Sequence, residues 1–269
     1  MFDNICKFLA ENFSRDFANW LLGEPITLTE LSPKELSLEP IRADALILLQ
    51  SDDKILHIEF QTEPDPKIPF RMADYRLRGY RRFPHKEMYQ VVIYLNRTNS
   101  ELVYQNTFTL SRTRHEFEII RMWEQPAEIF LNKPGLLPFA VLSSTLNPEN
   151  LLNQVASEID GIPDNRTQSN IAASTAILAG LVLNKDSIKR ILRSDIMRES
   201  PIYQEILQEG EEKGRAEGKA EGKAEGRSET LQQVAIDLLS TGMALEDISR
   251  ITGFSIEQLR VLQRQQSEQ

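Results

Sequence analysis

Between Ile41 and Gln61 the chain reads IRADALILLQSDDKILHIEFQ, two apolar runs, Ile41–Leu49 and Lys54–Phe60, around a polar tip of Gln50, Ser51, Asp52 and Asp53. This pattern predicts a β-hairpin. An even-residue loop, either Ser51-Asp52 or Asp52-Asp53, sets Asp44 opposite Glu59 or Gln61 and turns all three to one face. The other face carries Ala43, Ala45, Ile47, Leu49, Leu56, Ile58 and Phe60, while the acid face also holds Leu46, Leu48 and Ile55. Both faces are therefore expected to be covered, as in a central pair of strands.

Upstream, Ile5, Phe8, Leu9, Phe13, Phe17 and Leu21 repeat at three-to-four spacing and predict one helix over Phe2–Leu22, ended by Gly23 and Pro25. Downstream, Pro64-Asp65-Pro66 and Pro69 make a stiff connector to a helix over Phe70–Phe83. Arg71, Tyr75 and Arg78 share one face of it, the face expected to turn toward the hairpin. Strands are predicted at Gln90–Leu95, Leu102–Leu110 and His115–Met122, with a turn at Asn96–Ser100. This order suits an α/β fold with a mixed central sheet flanked by helices. From Pro134 the pattern turns helical, at Leu136–Leu142, Pro148–Glu158, Thr167–Leu183 and Lys185–Arg193.

Gly210–Gly226 is a four-residue repeat of glycine, basic residue, alanine and acid. As a helix it sets like charges at i,i+4, with Arg215, Lys219 and Lys223 in one row and Glu217, Glu221 and Glu225 in another. Two chains side by side pair these rows, so the repeat reads as a contact between copies, with a flexible charged linker as the alternative. Helices follow at Thr230–Leu239 and Leu245–Thr252, closed by Gly253, and Ser255 with Gln258 forms a capping box for a third. The spacing is compatible with a helix-turn-helix. With only Arg260 and Arg264 as cations on the last helix, a small helical assembly module is the preferred reading.

The hydrophobic fraction of 41% and charged fraction of 26% indicate neither a disordered nor a membrane protein. The longest apolar run, Ile171–Leu183, is too short to span a bilayer, and Met1–Ala10 has no signal-peptide pattern. The single cysteine, Cys6, excludes an intrachain disulfide framework and suits a reducing compartment. A cytoplasmic location without membrane attachment is expected. A net charge of −9 argues against a nucleic-acid partner. Locally the sign reverses: Lys67, Arg71, Arg76, Arg78, Arg81, Arg82 and Lys86 face only Asp74 and Glu87. A basic helix beside an acidic hairpin is what a phosphodiester backbone requires. Arg71, Tyr75, Arg78, Arg81 and Arg82 are the candidate DNA contacts.

Directly opposed Cβ atoms in an antiparallel pair lie about 4.5–5.5 Å apart, so Asp44 and a neighbouring Glu59 can bracket one small cation. Two carboxylates in a covered sheet otherwise repel and lose hydration, at several kcal/mol. Mg²⁺, which binds through one or two carboxylates with waters and substrate phosphate, fits this donor set. His57 shares the face of Glu59 and is a further candidate metal ligand or base.

An acid at the start of one strand followed by Glu-x-Lys on the next is the active-site hairpin of the PD-(D/E)XK nuclease superfamily, and Asp44 with Glu59-Phe60-Gln61 resembles its glutamine variant. The context IEFQTEPDPKIPFRMADYRLRGYRR is similar to the Rpn-type recombination-promoting nuclease and putative transposase family of bacteria. The likeness extends through VVIYL, RMWEQPAEIF and PGLLPFAVL to the Gly-rich charged tail. It implies a restriction-endonuclease-like core over residues 1–130, a helical extension over 131–208, the repeat at 209–229 and a helical module at 230–269. The implied activity is Mg²⁺-dependent DNA endonuclease, with Mn²⁺ as a substitute and no small-molecule cofactor. Asp44 and Glu59 would hold the metal, joined by the Phe60 carbonyl and by Glu11 or Asp16 of the first helix. Gln61, which carries no charge, stands where the superfamily has lysine, so it would orient the attacking water while Arg71 or Arg78 supplies the missing cation. DNA and a second copy of the chain, as a homodimer, are the expected partners. The alternative is an inactive nuclease-fold module that binds DNA or protein.

Overall fold

The computed structural model describes residues 2–31 and 46–267, and the chain divides into two compact units, Met1–Ile206 and Leu207–Gln269. The first opens with helices α1 (Phe2–Asn12) and α2 (Ser14–Leu22) and a short strand β1 (Thr29–Glu30). The hairpin follows as β2 (Leu46–Gln50) and β3 (Lys54–Gln61), then helix α3 (Ile68–Arg82) and strand β4 (Glu87–Tyr94). Next come β5 (Thr107–Leu110), β6 (Thr113–Glu116) and β7 (Glu118–Arg121). Helices α4 (Glu128–Leu131), α5 (Leu137–Ala140), α6 (Pro148–Asp160), α7 (Asn165–Ala179), α8 (Lys185–Ile191) and α9 (Ser194–Arg198) complete the unit's shell.

The hairpin closes at Ser51, whose backbone N–H donates to the Lys54 carbonyl at 2.9 Å, so the two-residue loop is Asp52-Asp53. This loop fixes a register in which Leu46 pairs with Glu59 and Leu48 with His57. The central sheet has the order β1-β2-β3-β4-β7, antiparallel from β1 to β3 and parallel from β3 to β7. Parallel neighbours need a crossover, and α3 supplies the one between β3 and β4. The fold is mixed α/β, a five-stranded sheet flanked by helices.

Period-two alternation then decides which residues meet which layer. Ile47, Leu49, Leu56, Ile58 and Phe60 enter one large core with Ile5, Leu9 and Phe17 of the first helices and Phe139, Leu152, Ile171 and Leu178 of the later ones. Phe60 stacks on Phe139 at a centroid distance of 5.6 Å, and Phe17 meets both rings edge-on. Residues 131–206 thus belong to the same compact unit as the sheet. On the opposite face α3 covers Leu48 and Ile55 through Tyr75, with Leu31 and Met88, and covers Val92 and Tyr94 through Ile68 and Met72. Both faces of the hairpin are buried, as the two apolar faces require.

Three elements before residue 125 differ from the periodicity. The single helix expected over Phe2–Leu22 is broken at Phe13, where Ser14 exchanges hydrogen bonds with the backbone of Leu28, and Asp16 accepts from the Gly135 N–H at 3.1 Å. A serine bonded to backbone elsewhere competes with helix continuation. The strand expected over Leu102–Leu110 begins only at Thr107, because Ser100 accepts from the Leu102 N–H and caps a 3₁₀ turn over Glu101–Tyr104 that buries Val103. The strand expected over His115–Met122 is split by Phe117, which is buried and donates to the Asn106 carbonyl. Its first part pairs antiparallel with β5 in a separate ribbon and its second joins β4 in the main sheet.

The second unit holds α10 (Pro201–Ser240) from Leu207 onward, with α11 (Leu245–Thr252) and α12 (Ile256–Ser267). Ala235, Ile248 and Leu259 form its small core, with Leu238, Leu245, Phe254 and Leu262 against them. Gly253 ends α11 at φ +78°, the left-handed conformation that favours glycine. The capping box is present: Ser255 N–H donates to Gln258 Oε1 at 2.8 Å, and Gln258 N–H donates to Ser255 Oγ at 3.2 Å. The repeat is helical throughout, and nothing lies within 4 Å of where a Cβ would stand at Gly210, Gly214, Gly218, Gly222 or Gly226. Among the described residues, no helix is long and apolar enough to cross a membrane.

Candidate active site

Alternation on β3 places His57, Glu59 and Gln61 on the face turned toward α3, and the central position of that strand buries His57 and Glu59 and half-buries Gln61. His57 is fully buried and the Glu59 side chain is 1% exposed. A lone carboxylate there would lose most of its hydration. Arg71, in the first turn of α3, meets that need: its Nη2 lies 2.9 Å from Glu59 Oε1 and 3.4 Å from Asp65 Oδ2. Gln61 Nε2 donates to the same Glu59 oxygen at 3.3 Å. The stiff connector is what brings Asp65 and Arg71 to this edge, with Asp65 also accepting from the Lys67 N–H at 2.8 Å.

The second Glu59 oxygen, Oε2, lies 3.5 Å from His57 Nε2, and both atoms are buried without a hydrogen-bond partner among the described residues. Arg71 Nε is in the same condition. On the far side of His57, Gln90 of β4 places its Nε2 2.9 Å from Nδ1. The Tyr75 ring meets the imidazole edge-on at 5.1 Å. Burial, reinforced by the Glu59 charge, pushes the Tyr75 phenol up to about 12, so it stays neutral and protonated at ordinary pH.

Of the residues expected at the site, Glu59, Gln61 and Arg71 come together, and His57 joins them. The Gln61 carbonyl accepts from Leu95 N–H on the β4 side, so strand alternation turns the Phe60 carbonyl toward the β2 side, away from β4. Asp44 lies outside the described residues. Glu11 is held on α1 by Lys7 at 3.5 Å, its carboxyl raised chiefly by burial, and shares no partner with Glu59 among the described residues. Asp16 is committed to the Gly135 backbone. Among the described residues no group of three or more His, Cys, Asp or Glu is arranged to hold a metal ion.

The expected DNA contacts divide into two sets. Tyr75 is 4% exposed and packs in the core, so its ring offers no surface to a nucleic acid. Arg78 is tied to Asp74 at 2.9 Å, Arg76 donates to the Met88 carbonyl, and Lys86 donates to Gln50 Oε1 and the Ser51 carbonyl across the hairpin tip. Arg81 and Arg82 are exposed at the end of α3. Exposed Phe70, Leu77 and Tyr80 lie on the same helix.

Gln90 and Asp65 are the partners that sequence pattern left unremarked. Gln90 had a signal, since it is a polar residue inside the apolar run of β4 and faces His57 in the parallel register. Comparison with known proteins adds no relative: no family model, no curated protein and no solved structure matches the chain.

Proposed function

We propose that the protein is a Mg²⁺-dependent DNA endonuclease of the Rpn-type, PD-(D/E)XK kind, acting in the cytoplasm on phosphodiester bonds, with its mixed sheet as a restriction-endonuclease-like core. The carrying observation is a buried Glu59 with Oε2 unbonded, beside an Arg71 whose Nε is buried and likewise unbonded. Buried polar atoms ordinarily find partners, so a carboxylate oxygen and a guanidinium N–H left without hydrogen bonds inside the Glu59–Arg71 pair support a ligand that offers both a cation and acceptor oxygens. A metal-bound phosphate is such a ligand.

The donor set suits a hard cation: Glu59 Oε2 is a carboxylate oxygen, the Phe60 carbonyl is turned away from β4, and Asp44 is the partner that the family resemblance implies. When bound, Mg²⁺ lowers the pKa of a coordinated water and neutralises phosphate charge. Glu59 anchors its side of the cation site. Gln61, with both a donor and an acceptor, orients the attacking water without taking its proton. Arg71 holds a non-bridging phosphate oxygen through Nε, the role left vacant by the missing lysine.

A nicking assay of supercoiled plasmid with purified protein tests this reading. Cleavage in Mg²⁺ and Mn²⁺ and none in EDTA is the expected result; equal plasmid integrity in all three refutes it. One observation favours the alternative of an inactive nuclease-fold binding module, namely that Arg71 already neutralises Glu59 at 2.9 Å. Plasmid that is bound but uncut in Mg²⁺ selects that alternative.

Binding should run through the exposed end of α3. Reversing both Arg81 and Arg82 to glutamate is expected to weaken DNA affinity and to flatten the slope of log K against log salt by about 1 for each phosphate that the helix no longer neutralises. Arg78 is the poorer choice because its reversal also breaks the Asp74 pair. An unchanged salt slope would show that this end of the helix is merely solvated.

A further inference from the structure

We propose that Gln90 fixes His57 as the tautomer protonated on Nε2, so that His57 turns an N–H toward the Glu59 carboxylate and is neither a metal ligand nor a base. Residues 57 and 90 are register partners on the parallel strands β3 and β4, so their side chains stand side by side under α3. Gln90 Nε2 lies 2.9 Å from His57 Nδ1 and 2.8 Å from the carbonyl oxygen of Met72 on α3.

A carbonyl oxygen only accepts, so the Gln90 atom facing Met72 must be the nitrogen, and its two hydrogens go one to Met72 and one to Nδ1. Nδ1 is therefore an acceptor. A neutral imidazole carries its one proton on the other nitrogen, which puts N–H on Nε2 and aims it at Glu59 Oε2, 3.5 Å away. Reversing the amide would set Oε1 against the Met72 oxygen. It would also leave the NH₂ where Oε1 now lies buried without a hydrogen-bond partner among the described residues. The packing adds rigidity: Gln90 is 6% exposed, His57 is fully buried, and Tyr75 caps the imidazole edge-on.

Distance alone permits another assignment. Nε2 and Oε2, buried and unbonded, are far enough apart for one cation to sit between them at ordinary ligand distances of about 2.0–2.2 Å. The Met72–Gln90 hydrogen bond decides against it, because it puts a hydrogen on the lone pair that a metal would need. His57 is thus a positioning residue for Glu59, the outer partner that orients a ligating carboxylate. This last step rests on the proposed function; the tautomer does not.

The test is a long-range ¹H–¹⁵N spectrum of the full-length, metal-free protein labelled at its three histidines, His57, His85 and His115, with His57→Gln to assign the signal. At about pH 8 the His57 ring should show its proton on Nε2 alone. Gln90→Met, which keeps the shape and removes the amide, should mix the tautomers. Mg²⁺ titration gives the second arm. His57→Leu is expected to weaken binding about 10- to 100-fold, as removing the hydrogen-bond partner of a ligating group does. His57→Gln, which keeps a donor near Nε2 but has no imidazole, should stay within about threefold of wild type.

A wild-type ring protonated on Nδ1, a tautomer unmoved in Gln90→Met, or a His57→Gln as weak as His57→Leu would each overturn the proposal. The wild-type spectrum decides even where the Gln90 variant fails to fold. An Nε2–H ring in a protein that binds no Mg²⁺ would leave the Gln90–His57–Glu59 chain standing and remove the metal-site reading instead.

Discussion

Glu59→Gln is expected to lower divalent-dependent DNA cleavage by more than about a hundredfold, since loss of a metal carboxylate removes several kcal/mol of transition-state charge stabilisation. The folded chain should stay within about 1 kcal/mol of wild type, because the amide keeps the volume and sheds a buried charge. Arg71→Met should do the opposite to stability. The two partners differ in exposure, with Glu59 at 1% and Arg71 at 29%. When Glu59 loses its charge, the remaining guanidinium still has Asp65 at 3.4 Å and some access to water. When Arg71 loses its charge, a carboxylate is stranded inside the sheet with His57 and Gln61 beside it among the described residues. Breaking a buried pair this way costs about 3 kcal/mol or more. Urea denaturation of the two variants, alongside the plasmid assay, checks both halves. A Glu59→Gln protein that cuts as well as wild type, or an Arg71→Met protein of unchanged stability, would contradict the assignment of this pair.

The hairpin was legible because period-two alternation is a local property and because Ser51, Asp52 and Asp53 are turn residues. The register was not, since both even loops satisfy the same alternation and only the Ser51 to Lys54 hydrogen bond selects between them. The capping box at Ser255 was readable for the same reason of locality: donor and acceptor are three residues apart. What escaped depended on partners distant in sequence. The break at Phe13 follows from Ser14 meeting Leu28 and Asp16 meeting Gly135, and the burial of Tyr75 follows from Leu31, Leu48 and Met88 closing over it. Helical spacing correctly put Arg71 and Tyr75 on the side of α3 that faces the sheet. It gave no means of seeing that this side is too well packed for a phenol to reach DNA. Gln90 shows the same limit, since its role exists only once β3 and β4 are known to be parallel and in register.

If the repeat joins two copies of the chain, replacing Gly214, Gly218 and Gly222 together by alanine is expected to convert that homodimer into a monomer while strengthening the helix that carries them. Glycine in a helix interior is about 1 kcal/mol less favourable than alanine, and an added Cβ at each of these sites meets nothing within 4 Å, so in a solvated helix all three changes stabilise. A sequence that keeps glycine at every fourth position forgoes that gain. The charge order points the same way, because Lys219 and Lys223 have no acid three or four residues away in the chain and leave their opposite-charge partners to be found on another copy. A second helix laid against the glycine row would follow the i±4 ridge, crossing at about −50° over a few turns, and close backbone approach there requires the absence of Cβ. Alanine then separates the copies. Light scattering of the full-length protein at micromolar concentration should therefore fall from dimer to monomer mass in the triple variant as its helical circular dichroism holds or rises. A wild-type monomer, or a triple-alanine protein that remains a dimer, would make the repeat a solvated helix and remove the two-copy arrangement that would let one nuclease domain cut each strand of a duplex.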